Sequence, residues 1–141
     1  YIAVLEGRIE DEEGWIETWL YECRKSFKVY CYEMKPKESP ERPPRKDWQF
    51  AATHCKRLGY REMDGMTYTL VQFRLETGRK NQIRVQLSSA GHPIAGDKKY
   101  GAKSNPINRL ALHADRLTFT HPVSGQSIRL RTPLPGRFHI F

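Results

Sequence analysis

A chain of 141 residues is long enough for one domain with a real core, and its 38% hydrophobic content excludes a disordered or fibrous protein. The net charge of +8 and the pI near 9.6 favour a polyanionic partner such as RNA, DNA or an acidic membrane. No apolar run approaches the ~20 residues of a membrane span, and no signal peptide is evident. We therefore expect a cytoplasmic protein with no membrane partner.

The first part of the chain predicts a strand followed by a peripheral hairpin. Residues 1–7 are apolar on both faces, as in a strand that is covered on both sides. An acidic turn at 10–14 precedes residues 15–21 and 27–33, which are rich in aromatic and β-branched side chains. The acidic run is an exception to the basic balance and indicates that the hairpin's turn points away from nucleic acid.

The middle of the chain predicts an exposed loop and a second hairpin. Residues 35–47 contain four prolines and almost no apolar side chains, which predicts an exposed loop. Residues 48–58 and 68–76 alternate and are separated by a glycine-containing turn at 61–66. This pair is most simply an antiparallel hairpin.

A short helix is predicted over residues 81–90. It begins after the Thr77-Gly78 turn and stops at residues 90–93, where glycine suits C′ and proline cannot continue the helix. Its apolar stripe consists of Ile83, Leu87 and Ala90. Cations lie on or beside the edge of this apolar stripe, and this arrangement suits contact with phosphates.

The last part predicts two more strands. Residues 110–120 form a strand whose alternation changes phase at Asp115, where a bulge would reconcile the two faces. A turn at 121–125 leads into a strand at 127–131, and a second short helix is predicted near Pro106. With six or seven strands in all, the fold class is α+β: one domain with a mixed, mainly antiparallel sheet and one short helix packed on it.

The three cysteines, Cys23, Cys31 and Cys55, are odd in number and lack C-x-x-C spacing. Neither a disulfide framework nor a standard zinc module is implied. We therefore expect free thiols and no bound metal.

Three motifs occur in a fixed order and carry a family resemblance. They are YIAVLEG at 1–7, TGRKNQIRVQLSSAGHPIAGDKKYG at 77–101 and LALHADRLTFTHPVSG at 110–125. Together they cover roughly a third of the chain and resemble the RluA-type pseudouridine synthases. The resemblance implies a large bisected sheet with an RNA-binding cleft, and an enzyme that isomerises uridine to pseudouridine in rRNA or tRNA without cofactor or metal.

The resemblance also implies roles for individual residues. In such enzymes an aspartate attacks the uridine, and the base is detached, turned and rejoined through carbon. Tyr1 matches the tyrosine that stacks on the target base, and Ile83 matches the aliphatic residue that packs against the pyrimidine. Arg84 matches the arginine that pairs with the aspartate. Asn81 and Gln86 stand where the family usually has histidines, which puts the flanking contacts or the target in doubt.

The nucleophile itself is not recognisable in this sequence. The family's aspartate belongs to a motif of the type HRLD-x-x-T-S-G upstream of the Tyr1 strand, and no such motif occurs here. Asp47, Asp64, Asp97 and Asp115 lie in the wrong place, and Asp97 is interpreted as a turn-forming residue.

The chain starts at Tyr1, in the middle of a strand-like alternation and without methionine. We therefore expect the C-terminal part of a catalytic domain that is inactive alone. The missing segment would leave a sheet edge beside residues 1–7 open to a second copy or to the complementary N-terminal half.

Charge clustered beside two glycine turns suggests contacts with RNA phosphates. The candidates are Arg79, Lys80, Lys98 and Lys99. A plain solvated face is the alternative interpretation of these cations. For the whole chain, a non-catalytic RNA-binding module remains the alternative function, with a basic protein-interaction domain as a third.

Overall fold

The computed structural model describes residues 1–33 and 47–141. Its strands are β1 (Ile2–Glu6), β2 (Glu13–Glu22), β3 (Val29–Tyr32), β4 (Gln49–Met63), β5 (Met66–Leu75), β6 (Leu112–His113), β7 (Arg116–Thr120) and β8 (Ser127–Arg131). The helices in these ranges include α1 (Gln82–Ser89) and two short 3-10 helices, Lys98–Tyr100 and Gly136–Ile140. The predicted loop at 35–47 lies, apart from Asp47, outside the described residues.

Six strands form one sheet in the order β3-β2-β4-β5-β1-β6, and β7 pairs with β8 in a separate two-stranded sheet. Every one of these pairings is antiparallel. The predicted hairpins are present as β2–β3, β4–β5 and β7–β8. The α+β class predicted from the sequence is confirmed.

Strand β1 lies inside the sheet, with β5 on one side and β6 on the other. Ala3, Val4 and Leu5 are each 0% exposed, as the two-sided apolar pattern predicted. The expected open edge beside residues 1–7 is wrong, because later parts of the chain fold back onto β1. The Val4 amide donates to the Ala111 carbonyl at 3.0 Å, and the Val4 carbonyl accepts from the Ala95 amide at 2.9 Å.

The single bulged strand predicted over residues 110–120 is also wrong, because the chain changes sheets at Asp115. The segment before it, β6, pairs with β1, and the segment after it, β7, pairs with β8. The Asp115 side chain is buried, and its Oδ1 forms an ion pair with the Tyr1 amino group at 3.2 Å. Burial of this carboxylate explains why the alternation of apolar and polar residues changes phase at Asp115. Pro106 lies in a turn and not in a helix.

The helix α1 begins and ends close to its predicted bounds. Gly91 follows it with φ +85°, its amide donates to the Ser88 carbonyl at 3.1 Å, and the His92 amide donates to Leu87 at 2.9 Å. This is the glycine stop that the sequence predicted. In the described ranges, no helix is long and apolar enough to cross a membrane.

The buried face of α1 differs from the predicted stripe. Ile83 and Leu87 are buried, but Ala90 is exposed. Two glutamines, Gln82 and Gln86, are buried instead, at 2% and 1% exposure. The helix therefore packs on the sheet partly through hydrogen bonds, which a hydrophobic pattern does not reveal.

Candidate functional site

A two-point ion pair joins α1 to the turn that follows it. The Arg84 Nε donates to Asp97 Oδ2 at 2.7 Å, and Arg84 Nη2 donates to Asp97 Oδ1 at 2.8 Å. The Asp97 side chain is only 1% exposed, while that of Arg84 is 24% exposed. These hydrogen bonds raise the pKa of Arg84, against the opposing effect of burial. The guanidinium is therefore charged and fixed in orientation.

The Gly96-Asp97 turn puts the carboxylate in reach of the helix. Gly96 has φ +81°, and a Cβ built there would lie 2.2 Å from the Arg109 carbonyl oxygen, so the position admits only glycine. Asp97 does serve the turn, since its carbonyl accepts from the Ala102 amide at 3.1 Å. Its second role, as the partner of Arg84, was missed. The sequence signal for this pairing was the presence of the acidic Asp97 in the segment that follows the helix carrying the basic Arg84.

Asn81, the first departure from the family pattern, orients the same arginine. It precedes α1 with φ 54° and accepts a hydrogen bond from Arg84 Nη1 at 3.2 Å. Its Nδ2 donates to the Tyr100 hydroxyl at 3.2 Å, and the Tyr100 ring lies 5.0 Å from the Arg84 guanidinium carbon. Asn81, Asp97 and Tyr100 thus enclose the arginine on three sides.

Gln86, the second departure, is a structural anchor. Its Oε1 accepts from the Thr53 hydroxyl at 2.6 Å, and its Nε2 donates to the Thr18 hydroxyl at 2.9 Å. Nε2 also lies within hydrogen-bonding distance of the carbonyls of Ile16 and Ala51, at 3.2 and 3.3 Å. These partners belong to β2 and β4, so Gln86 ties α1 to the middle of the sheet.

Tyr1 packs against the apolar cluster to which Ile83 belongs. Tyr1 lies opposite Phe73 of β5: its amino group donates to the Phe73 carbonyl at 2.9 Å and its carbonyl accepts from the Phe73 amide at 2.7 Å. Because paired residues share a sheet face, the side chains of Tyr1 and Phe73 lie on the same side. Tyr1 packs against the buried cluster that contains Phe73 and Ile83, and its side chain is 40% exposed.

The structure does not place Arg84 beside Tyr1 in a shared cavity. Tyr1 opens onto a cleft of about 610 Å³ whose lining includes Gln72, Arg74 and Arg116 but neither Ile83 nor Arg84. The Arg84 guanidinium is turned instead towards the 3-10 helix Lys98–Tyr100. Each candidate therefore has a defined environment, and the assignment of both to one reaction site remains a proposal.

The candidate phosphate contacts surround one turn of the chain. All four side chains, Arg79, Lys80, Lys98 and Lys99, are exposed. Lys80 pairs with Glu22 at the end of β2, and Lys99 Nζ donates to the Phe27 carbonyl at 3.2 Å. Residues that are far apart in sequence thus form one basic region.

Three further aspartates lie outside the pair formed by Arg84 and Asp97. Asp64 has φ 52° in the turn between β4 and β5. Asp115 contacts the Tyr1 amino group and Arg116 Nε, both at 3.2 Å. Asp11, which the sequence reasoning did not weigh, is exposed ahead of β2.

Comparison with known proteins identifies the family. The sequence profile of the RNA pseudouridylate synthases matches residues 1–89. The uncharacterized RNA pseudouridine synthase YhcT of Bacillus subtilis is 34% identical over 136 residues, which are 96% of this chain and 40% of that protein. Ribosomal large subunit pseudouridine synthase D of Nitrosomonas europaea is 47% identical over 89 residues, covering 56% of this chain and 26% of that protein.

The fold comparison agrees. Human RNA pseudouridylate synthase domain containing 1 superposes with a TM-score of 0.73 at 24% identity, over 94% of this chain and 52% of that one. The chain spans about two fifths of the length of the first curated relatives it matches. The profile match over most of the sequence, together with the shared motifs, shows that this chain belongs to the RluA-type RNA pseudouridine synthases.

Proposed function

We propose that the chain supplies the Arg84 and Tyr1 portion of the active site of an enzyme that isomerises uridine to pseudouridine in rRNA or tRNA. Family membership supports the reaction class. The observation that carries the residue assignment is the fork between Arg84 and Asp97, which holds a charged guanidinium in place at the start of α1. The protein is expected to work in the cytoplasm without cofactor.

Arg84 keeps donor capacity for a second carboxylate. A guanidinium has five N–H groups. Asp97 takes one each from Nε and Nη2, and Asn81 takes one from Nη1. Within the described ranges, one N–H on each of Nη1 and Nη2 has no partner. An incoming aspartate could bind there, and the arginine would keep it ionised and aimed at the base.

Tyr1 would receive the base, and its partly exposed ring offers a surface on which a flipped pyrimidine could stack. Ile83 is 4% exposed and belongs to the buried cluster on which Tyr1 packs, so we propose that it supports this surface from within the core. Stacking is therefore proposed as the main role of Tyr1, and any proton transfer would need help from the completed site.

The nucleophile is proposed to come from outside these 141 residues. Without a positioned carboxylate, neither a phenol nor a guanidinium can open the glycosidic bond. The chain would therefore be inactive alone and would act with a segment that carries the aspartate motif, as part of one polypeptide or as a complementary half. A chain that binds RNA but is never activated would instead be a non-catalytic RNA-binding module.

A mixing experiment tests the proposal. The 141-residue chain is combined with a separately produced segment that carries the HRLD-type motif, and pseudouridine is measured by mass spectrometry in a mixture of rRNA and tRNA. We expect product only when both pieces are present, and none when the aspartate of the added segment is replaced by asparagine. Product from the 141-residue chain alone would show that the nucleophile lies within it. A stable complex that binds RNA but yields no product would favour the non-catalytic module.

A further inference from the structure

The turn between β2 and β3 is a compact, strongly basic projection. The Cys23 amide donates to the Lys28 carbonyl at 2.9 Å, and the Phe27 amide donates to the Cys23 carbonyl at 2.8 Å. Phe27 itself has φ 53°. Closing the turn in this way leaves Arg24, Lys25 and Lys28 exposed at its tip.

This turn lies against both groups of candidate phosphate contacts. On one side, Lys80 pairs with Glu22, and its Nζ lies 5.9 Å from the centre of the Phe27 ring. On the other side, Lys99 donates to the Phe27 carbonyl at 3.2 Å. The cationic turn surface, as we name it, consists of Arg24, Lys25, Lys28, Arg79, Lys80, Lys98 and Lys99.

Two depressions in the surface differ in their charge. One, of about 280 Å³, is lined by Arg24, Arg79 and Lys80, but Glu22 and Asp47 also face it. The other, of about 400 Å³, is lined by three lysines together with Ser88, Ser89 and Tyr30, and its lining contains no carboxylate. The lysines are Lys28, Lys98 and Lys99. The second depression is the better site for the negative charge of a phosphodiester.

Exposed aromatic side chains alternate with these cations. Phe27 is 63% exposed at the tip of the turn, and Tyr30 is 41% exposed at the start of β3. The Lys28 Nζ lies 5.8 Å from the centre of the Tyr30 ring. Cations that follow a backbone, combined with rings that can stack on bases, are typical of surfaces that bind single-stranded nucleic acid. Bases paired within a duplex would not be free to stack on these rings.

We propose that the cationic turn surface binds an unpaired RNA strand, with phosphates at Lys28, Lys98 and Lys99 and a base on Phe27. This inference rests on the proposed function, since it assigns part of the RNA-binding surface of the same protein. It reverses the expectation that the hairpin's turn points away from nucleic acid. The acidic turn at 10–14 lies at the other end of β2, and the ten residues of this strand separate the two ends by about 30 Å.

Equilibrium binding of a fluorescent unpaired RNA to the 141-residue chain tests whether the lysines of this surface contact phosphates. The turn variant is Lys28→Gln/Lys98→Gln, and the matched control is Arg129→Gln/Arg131→Gln on exposed positions of β8. Each pair removes two charges from a net charge of +8. If both lysines contact phosphates, the slope of log affinity against log salt should fall by about 1.4 in the turn variant. The control should keep the slope of the unaltered chain.

A second pair of variants tests stacking. Phe27→Ala should weaken binding of the unpaired strand about fivefold or more without changing the salt slope. Phe119→Ala on β7, where the ring is 40% exposed, should leave affinity unchanged. Circular dichroism on every variant separates loss of contact from loss of fold, because all six substituted residues are exposed.

Several outcomes would overturn the inference. These are equal effects of the turn and control variants, a preference for a duplex of the same length, or no binding by the unaltered chain at low salt. None of these results depends on pseudouridine formation, so the mixing experiment judges the proposed function separately. Product in that experiment with no effect of the turn variants would leave the function standing and remove this surface from it.

Discussion

Arg84 and Asp97 hold the start of α1 against the turn that follows the helix, through hydrogen bonds of 2.7 and 2.8 Å. A planar guanidinium meets both oxygens of one carboxylate, so the contact fixes direction as well as distance. Because Asp97 is almost fully buried, removing one partner alone leaves a desolvated charge.

A double-mutant cycle should show strong coupling between Arg84 and Asp97. Arg84→Met and Asp97→Asn, alone and together, are compared by urea unfolding of the 141-residue chain. We expect a coupling energy above about 1 kcal/mol, since the pair is hydrogen-bonded and shielded from solvent. The cycle made with Arg8→Met and Glu10→Gln is the control, because that ion pair is exposed and should couple by less than about 1 kcal/mol. Equal coupling in the two cycles would contradict a structural role for the Arg84 fork.

Gln86→Leu should destabilise the fold by about 1 to 3 kcal/mol. Leucine has a similar volume, but it leaves the Thr53 O–H without its acceptor and the Thr18 hydroxyl oxygen without the donor it has in Gln86. Gln126→Leu is the matched control at an exposed position and should change the free energy of unfolding by no more than about 0.5 kcal/mol. A Gln86→Leu protein as stable as the control would show that the amide does not anchor α1.

The cysteines should react with iodoacetamide in the order Cys23, Cys31, Cys55. Hydrogen bonds from Ser26 lower the pKa of Cys23, so its reactive thiolate forms at lower pH than that of an ordinary cysteine. Burial raises the pKa of Cys31, and it raises that of Cys55 to about 12. Raising the pH from 7 to 9 should therefore increase labelling of Cys23 first, while Cys55 stays unlabelled in the folded chain. Peptide mass spectrometry gives the order, and early labelling of Cys55 would contradict its burial.

Local features were predictable from the sequence. The two-sided apolar pattern of β1, the β4–β5 hairpin and the glycine stop after α1 each depend on residues close together in the chain. The signals are periodicity and backbone conformation, which act over a few residues.

Relationships between distant residues were not predictable in the same way. Nothing in the first seven residues shows that β6 will cover the outer side of β1. The partner of Arg84 lies 13 positions away, and the turn that contacts Lys99 lies 72 positions away. Charge and periodicity indicate which side chains need a hydrogen-bonding or ionic partner. The identity of that partner depends on the tertiary packing of the whole chain.

The last prediction concerns Arg84 in the complemented enzyme. Arg84→Lys should reduce turnover at least about tenfold in the mixture of the two pieces, because an ammonium cannot bind Asp97 and a second carboxylate in one plane. The comparison is Arg61→Lys, since Arg61 is an exposed arginine on β4 outside both the proposed fork and the cleft at Tyr1. Its turnover should stay within about twofold of the unaltered mixture. Single-turnover rates at saturating RNA separate the chemical step from binding. If Arg84→Lys weakened RNA binding alone and left the single-turnover rate unchanged, Arg84 would belong to the RNA-binding surface and not to the reaction site.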